Sequence, residues 1–329
     1  MLKHILKRLG IGAFILLAFS FILFGLMRLQ PDDFIMQRWA GVIQQNGMSE
    51  YEIEELRRML GLHGTFLQGY GRWISNVFRG EFGFSLLYFG VPVTEVIGDR
   101  IWVSFIMSLV AMLISIPTAI FIGTHAATKQ YSKFDYVTTT LVMMGISLPA
   151  FFFAGILISI FAVNLEWWSP ALGWGIGGLP VDTPAAVRRL TMAWHLVLPI
   201  TVMVVLSIGG LMRHTRTNTL EVLRSDFIRT ARAKGLSEGA VIYKHAFKNT
   251  AVPLTTMIAG ILPGLFSGSM IIEQLFGLPG IGEVAFRALT QGDIPLVMAY
   301  NIFIAVLMVL GILLSDILYV IVDPRIRMN

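Results

Sequence analysis

Apolar positions along the chain gather into six long runs, Leu9 to Met27, Ile101 to Gly123, Val137 to Leu165, Thr191 to Met212, Thr250 to Ile272 and Ile294 to Val322. A bilayer core of about 30 Å needs roughly 20 helical residues, and inside it every backbone N–H and C=O must find its partner within the segment. The pattern therefore predicts an all-α membrane protein with six transmembrane helices. The first three runs contain no charge, and the sixth is interrupted only by Asp316. Run one follows Lys3, Lys7 and Arg8 and leads into Met27-Arg28-Leu29-Gln30-Pro31, which offers no small-residue cleavage site, so it reads as a retained helix rather than a signal peptide. Prolines at 117, 149, 199, 253 and 263 lie within or at the ends of runs, where each removes a backbone hydrogen bond and favours a kink.

Between the first two runs, residues 30–100 form a long external loop with a helix signal of its own. Ser49 and Glu52 make a capping box, Ile53, Leu56 and Leu60 follow on one face, and Glu54 and Arg58 pair on the other. The segment has too little apolar surface for a separate core, which favours a lid over an independent domain. Trp167, Trp168 and Trp174 suit an interfacial belt. No repeat or low-complexity tract appears, and residues 1–329 read as one membrane domain.

Composition agrees with the pattern: 55% of residues are hydrophobic, 14% are charged, and mean hydropathy is +0.73. Fifteen Lys and Arg, against five acids, fall on the side holding both termini, the 124–136 loop and residues 213–250; ten bases against fourteen acids fall on the other. Positive residues concentrate inside, so both termini of this multi-pass chain are expected in the cytoplasm. The basic pI reflects this bias; no basic face with interleaved aromatics points to nucleic acid.

Little catalytic chemistry is on offer. There are no cysteines, no G-x-x-x-x-G-K-[ST] phosphate loop and no H-E-x-x-H. Gly173, Gly175 and Gly178 satisfy G-x-G-x-x-G, but Pro170 and Pro180 flank them and no strand precedes, so the stretch reads as an external turn. No cofactor or metal site is expected. His195 and Asp316 are ionisable groups in or near apolar runs; His195, beside Trp194, suits an interfacial hydrogen bond, and Asp316 suits a pair with a base such as Arg213. Gly260, Gly264 and Gly268 recur every four residues, a spacing that lets helices approach closely, within the chain or between subunits. With Pro149 and Asp316 they are candidates for helix packing or gating.

The 213–250 segment is basic and helix-forming. Ser225 can cap a helix starting at Asp226, Lys234 sits at its negative end, and Gly235 suits the left-handed position beyond it. Ser237 and Glu238 start a second helix through Val241, Lys244, His245 and Lys248. Phe227, Ala231 and Lys234 share a side, and the small Ala231 and Ala233 would admit a partner groove. Both a docking knob and a solvated basic loop fit these residues.

The run Phe227-Ile-Arg-Thr-Ala-Arg-Ala-Lys-Gly-Leu236, with His245-Ala-Phe-Lys-Asn249 after it, resembles the coupling loop of permease subunits in ATP-binding-cassette importers of dipeptides and oligopeptides. Glu55 to Leu62, Gly80 to Ser85, Pro92 to Arg100, Ser147 to Phe151, Glu273 to Gly282, Asp316 to Tyr319 and Asp323-Pro-Arg325 extend the resemblance to the B-type subunit over nearly the whole chain. Gly292-Asp-Ile-Pro departs from the Arg-Asp-Tyr-Pro type usual there. The resemblance implies a type I importer permease fold with core residues about 95–325. It implies a second homologous permease subunit, two ATP-binding subunits that use the ATP, and an external solute-binding protein. It places ATPase coupling on Asp226, Phe227, Arg229, Thr230, Ala231, Arg232, Ala233, Lys234, Gly235, Leu236 and His245. Short peptides are the implied cargo, with nickel or another small solute as the alternative; a self-sufficient carrier or channel is the alternative from another class.

Overall fold

A computed structural model describes residues 2–29, 49–62, 64–168, 173–174, 179–180 and 182–322. Part of the glycine-rich turn and the Asp323-Pro-Arg325 tail lie outside them. In chain order the helices are α1 (Leu2–Arg28), α2 (Glu50–Met59), α3 (Phe66–Arg79), α4 (Val93–Thr128), α5 (Lys133–Ser147), α6 (Ala150–Leu157), α7 (Ala185–His195), α8 (Val197–Leu223), α9 (Asp226–Ala233), α10 (Glu238–Ala240), α11 (Phe247–Ile261), α12 (Met270–Leu275), α13 (Ile281–Gln291) and α14 (Ile294–Val322). A π-helical stretch, Ile158–Asn164, follows α6; a second, Val241–Ala246, precedes α11, and a 3₁₀ turn, Leu262–Phe266, follows it.

Among the described residues four helices are long and apolar enough to cross a membrane: Leu6–Arg28, Val93–Thr128, Ala185–Leu223 and Ile294–Leu314. The third apolar run is a pair, Lys133–Ser147 and Ala150–Asn164, bent by 105°. Its cause is local. Pro149 crowds the preceding residue out of the helical region, and Leu148 sits at φ −81°, ψ 128°. The fifth run is not one helix either: α11 gives way to the 3₁₀ turn at Pro263, and Gly268, at φ 71°, separates it from α12. Gly260, Gly264 and Gly268 therefore share no helix face, and a Cβ added at Gly260 or Gly264 would meet nothing within 4 Å.

The chain divides into two compact units. One comprises Met1–Ser104, Phe266–Met270 and Pro279–Leu313. In it the segment after α1 packs back on that helix. Phe24, fully buried, meets Phe66, Tyr70 and Trp73 of α3 at ring-centroid distances of 5.4, 5.7 and 5.6 Å, and such aromatic pairs contribute about 0.5–1.5 kcal/mol each beyond area burial. The Ser49–Glu52 capping box forms at the start of α2. The loop after α2 and the α3 backbone touch at two glycines: a Cβ on Gly69 would lie 2.1 Å from the Gly61 carbonyl oxygen. Arg28 ties the end of α1 to the same loop by donating to the Leu62 and Gly64 carbonyls. A second core joins Val93, Val96 and Ile97 of α4 to Ile281, Val284 and Ala288 of α13 and Leu296 of α14.

Asp293 is the joint of this unit. Gly292, at φ 79°, ends α13 in a left-handed turn, which explains glycine where a side chain was expected. Asp293 then caps α14 by accepting from Leu296 N–H at 3.1 Å, while its other oxygen accepts from the Ser85 hydroxyl (2.6 Å) and the Leu86 and Leu87 N–H groups (both 2.9 Å). One buried carboxylate thus fixes residues 85–87 to the start of α14.

The other unit comprises Phe105–Leu265, Ile271–Leu278 and Leu314–Asn329. Here α5 and α8 lie against each other through small residues: a Cβ on Gly209 would sit 2.2 Å from Ile146 Cγ1, and one on Gly145 3.4 Å from Val205 Cγ1. Gly123 of α4 meets the backbone of Met212 in the same way, at 2.7 Å. The Trp belt is specific: Trp168 stacks on Trp194 at 4.5 Å and 1°, Trp168 Nε1–H donates to the Trp194 carbonyl, and Trp194 Nε1–H to that of Trp167. His195 Nδ1 lies 2.8 Å from the Thr191 carbonyl oxygen of its own helix, and its Nε2 is buried with no hydrogen-bond partner among the described residues. Asp316 is half-buried on α14, and Arg213 is exposed.

Candidate functional site

The segment after α8 folds as a small knob with an interior. Ser225, extended at φ −73°, ψ 154°, breaks the helix, but its hydroxyl donates back to the Val222 carbonyl at 2.6 Å instead of capping α9 as its position suggests. At the other end of α9 the chain closes in a Schellman turn: Leu236 N–H donates to Ala231 O and Gly235 N–H to Arg232 O. Gly235 carries the left-handed backbone, φ 76°, and a Cβ there would meet nothing within 4 Å. Its need for glycine is conformational and not steric. Ser237 then caps α10 by accepting from Ala240 N–H.

Two clamps hold the halves of the knob together. Arg232 donates twice to Glu238 across the turn, at 2.8 and 3.2 Å; both side chains are largely exposed, so this pair holds geometry more than it adds stability. Beneath it, Ile228 and Ala231 of α9 pack on Val241 and Ala246 of the π-helical stretch, with Val222 and Leu223 at the end of α8 closing the base. Asn249 Nδ2 donates to His245 O, and Arg229 pairs with Asp226 at 3.5 Å.

These contacts sort the residues singled out from the sequence. Asp226, Phe227, Arg229, Thr230, Arg232, Ala233, Lys234, Gly235 and Leu236 are exposed, and His245 is half-buried. Ala231 faces inward at 7% exposure. A partner groove receiving Ala231 conflicts with this packing; its small side chain serves the close approach of the π-helical stretch. What remains outside is a mixed surface, with Phe227, Leu236 and Tyr243 as exposed large apolar groups and Arg229, Lys234, Lys244 and Lys248 as exposed bases, Arg229 being paired with Asp226. Tyr243 and the inward Ile228, Val241 and Ala246 were not singled out, although Ile228 and Ala231 stand at helical i, i+3 spacing, the one signal that could have found the core.

A second feature escaped the sequence altogether. At the start of α5, Asp135 is 3% exposed and accepts from Arg216 Nε (2.7 Å) and Nη2 (2.8 Å) of α8, from Tyr131 N–H (3.0 Å) and from the Thr139 hydroxyl (3.3 Å). Arg216 lies seven residues, about two helical turns, before α8 ends at the knob. Nothing in residue type or spacing links two positions 81 residues apart.

Among the described residues, nothing in the knob resembles a catalytic constellation. The description "binding-protein-dependent transport system inner membrane component" matches residues 115–328, which include both the knob and the α5–α8 pair. Full-length relatives agree. The oligopeptide transport system permease protein AppB of Bacillus subtilis is 34% identical over 99% of this chain and 100% of its own. A putative peptide transport system permease protein of Brucella abortus is 36% identical over 98% of both, and the oligopeptide transport system permease protein OppB of Haemophilus influenzae is 34% identical over 99% and 100%. The chain belongs to the family of binding-protein-dependent transport system inner membrane components.

Proposed function

We propose that this chain is one membrane half of an ATP-driven importer of short peptides in a bacterial inner membrane. It pairs with a second, related permease chain, receives cargo from an external solute-binding protein, and binds no cofactor itself. Two cytoplasmic ATPase subunits hydrolyse the ATP. Both termini and the knob lie in the cytoplasm, as the excess of Lys and Arg on that side supports, and the names of the peptide permease relatives support the cargo.

The knob carries the reading. It has an interior of its own, is seated on the last turn of α8, and exposes Phe227, Leu236 and Tyr243 together with several bases. A surface of that kind transmits force because it moves as a unit, and a force on it reaches α8 directly. ATP-driven closure of the ATPases then shifts the helices between inward-open and outward-open states.

Gly235 provides the test. Gly235→Ala and Gly235→Trp impose the same backbone strain, but only the second adds bulk at the apex of the turn. In the assembled importer, peptide uptake driven by ATP is expected to survive the first and to fall on the order of tenfold or more in the second, with membrane level unchanged. Unchanged uptake in Gly235→Trp would count against the knob as the contact.

A further inference from the structure

The knob reading leaves open how a push on the end of α8 reaches the bent helix pair, and the buried ion pair supplies the link. We propose that Asp135 and Arg216 are positioning residues that make α5 move with α8. The inference rests on the knob being where the ATPases act.

Three observations carry it. First, α5 and α8 are joined at both ends of their contact: by the two-pronged Asp135–Arg216 bond at one, and by Gly209 under Ile146 with Gly145 against Val205 at the other. Gly209 lets the helices come close but gives Ile146 no polar hold; the ion pair adds a directional bond to this apolar contact. A guanidinium fork on a carboxylate fixes direction as well as distance.

Second, Asp135 does more than bind Arg216. The same carboxylate holds Tyr131 N–H, and Tyr131 is at φ 65°, a left-handed backbone that a bulky side chain rarely adopts. Tyr131 lies in the turn between α4 and α5. Strain of this kind persists where surrounding contacts hold it, and often marks a place with a mechanical role. Here the contact that holds it is the one that reaches α8.

Third, the pair is well placed along the chain. Arg216 is about two turns from Leu223, whose side chain closes the base of the knob, and α5 runs from Asp135 to the bend at Leu148 and Pro149. A displacement of α8 transmitted at Asp135 therefore arrives at the bend, where the backbone already lacks a helical hydrogen bond.

The test uses the assembled importer in proteoliposomes and reads peptide transported per ATP hydrolysed. Arg216→Gln strands the buried Asp135 carboxylate and Asp135→Asn the half-buried Arg216 guanidinium, so the double variant, which strands neither, is the informative one. It is expected to assemble and hydrolyse ATP while the transport-to-ATP ratio falls on the order of tenfold, and to be no worse than the weaker single variant, as a pair acting as a unit requires. A ratio unchanged in the double variant overturns the proposal. Gly235→Trp, measured alongside, separates the two ideas: if it lowers the ratio and the double variant does not, the pair fails and the knob stands; if neither does, the knob reading itself fails.

Should the double variant not assemble, a distance measurement decides. The chain has no cysteine, so spin labels can be placed cleanly at Leu141→Cys on α5 and Gly239→Cys on the knob. One distance, the same in nucleotide-free and ATP-trapped states, supports joint motion; a distance that changes between those states overturns it.

Discussion

Two buried aspartates hold the two units of this chain, and they do it with different materials. Asp293 is gripped by backbone, three N–H groups and one hydroxyl. Asp135 is gripped chiefly by a side chain from another helix. The glycine contacts divide the same way: Gly69 faces the Gly61 carbonyl, whereas Gly209 faces the Ile146 side chain. A joint made from backbone cannot be loosened without moving the chain. A joint made from side chains can be retuned by rotamers, which suits a unit proposed to carry a mechanical contact.

The comparison can be broken most sharply at Asp293. Asp293→Ala leaves the Leu86, Leu87 and Leu296 N–H groups without their acceptor, and each such loss costs about 1–3 kcal/mol. A loss of at least about 3 kcal/mol is expected, read as a fall in thermal midpoint in detergent by tryptophan fluorescence, with Ser85→Ala losing about 1 kcal/mol beside it. Equal effects from the two would mean that the backbone donors contribute nothing. Next comes the glycine pair. Gly69→Ala drives a methyl into a carbonyl oxygen and should cost about 1–3 kcal/mol, whereas Gly209→Ala meets a side chain that can turn away and should cost less. The reverse order in their thermal midpoints would refute the distinction. Smaller again is Gly235→Ala, where only the left-handed backbone penalty of about 1–2 kcal/mol applies because the surroundings are open.

The smallest effect is at the Arg232–Glu238 pair. The hydrogen bond from Arg232 holds the Glu238 carboxyl below the usual carboxylate range. A depressed folded value means the contribution is present above the unfolded pKa and is lost as pH falls through the folded one. The difference in thermal midpoint between the parent chain and Glu238→Gln should therefore be slight near neutrality and vanish in acid. A difference that grows on acidification would contradict the assignment.

Much of the knob was legible because its signals are local. Gly235 and Ser237 act on backbone groups within a few residues, as does the Ser49–Glu52 box of α2. Ser225 misled because its hydroxyl had two nearby backbone choices and took the carbonyl behind it. Ala231 misled because composition does not say which way a small residue faces; the π-helical stretch that covers it has no residue signature. Hydropathy likewise located the apolar runs but not their continuity. Leu148-Pro149 bent the third, and Pro263 with Gly268 broke the fifth, where local backbone preferences outweighed an apolar average. The Asp135–Arg216 pair is a tertiary fact, and no local reading contains it.

The break in the fifth run also bears on water. Residues 267–269 lie between a 3₁₀ turn and α12, so their peptide groups cannot all be served by helical bonds, and hydrocarbon would not tolerate them bare. Tyr300 provides one answer by donating its hydroxyl to the Ser267 carbonyl at 2.8 Å. The Ser267 hydroxyl provides another by donating to the Gly268 carbonyl at 3.4 Å. Bonds of this kind lie outside a helical ladder, so isotope exchange should be faster here than in the helices on either side. Tyr300→Phe removes the first of these bonds and should speed that exchange further.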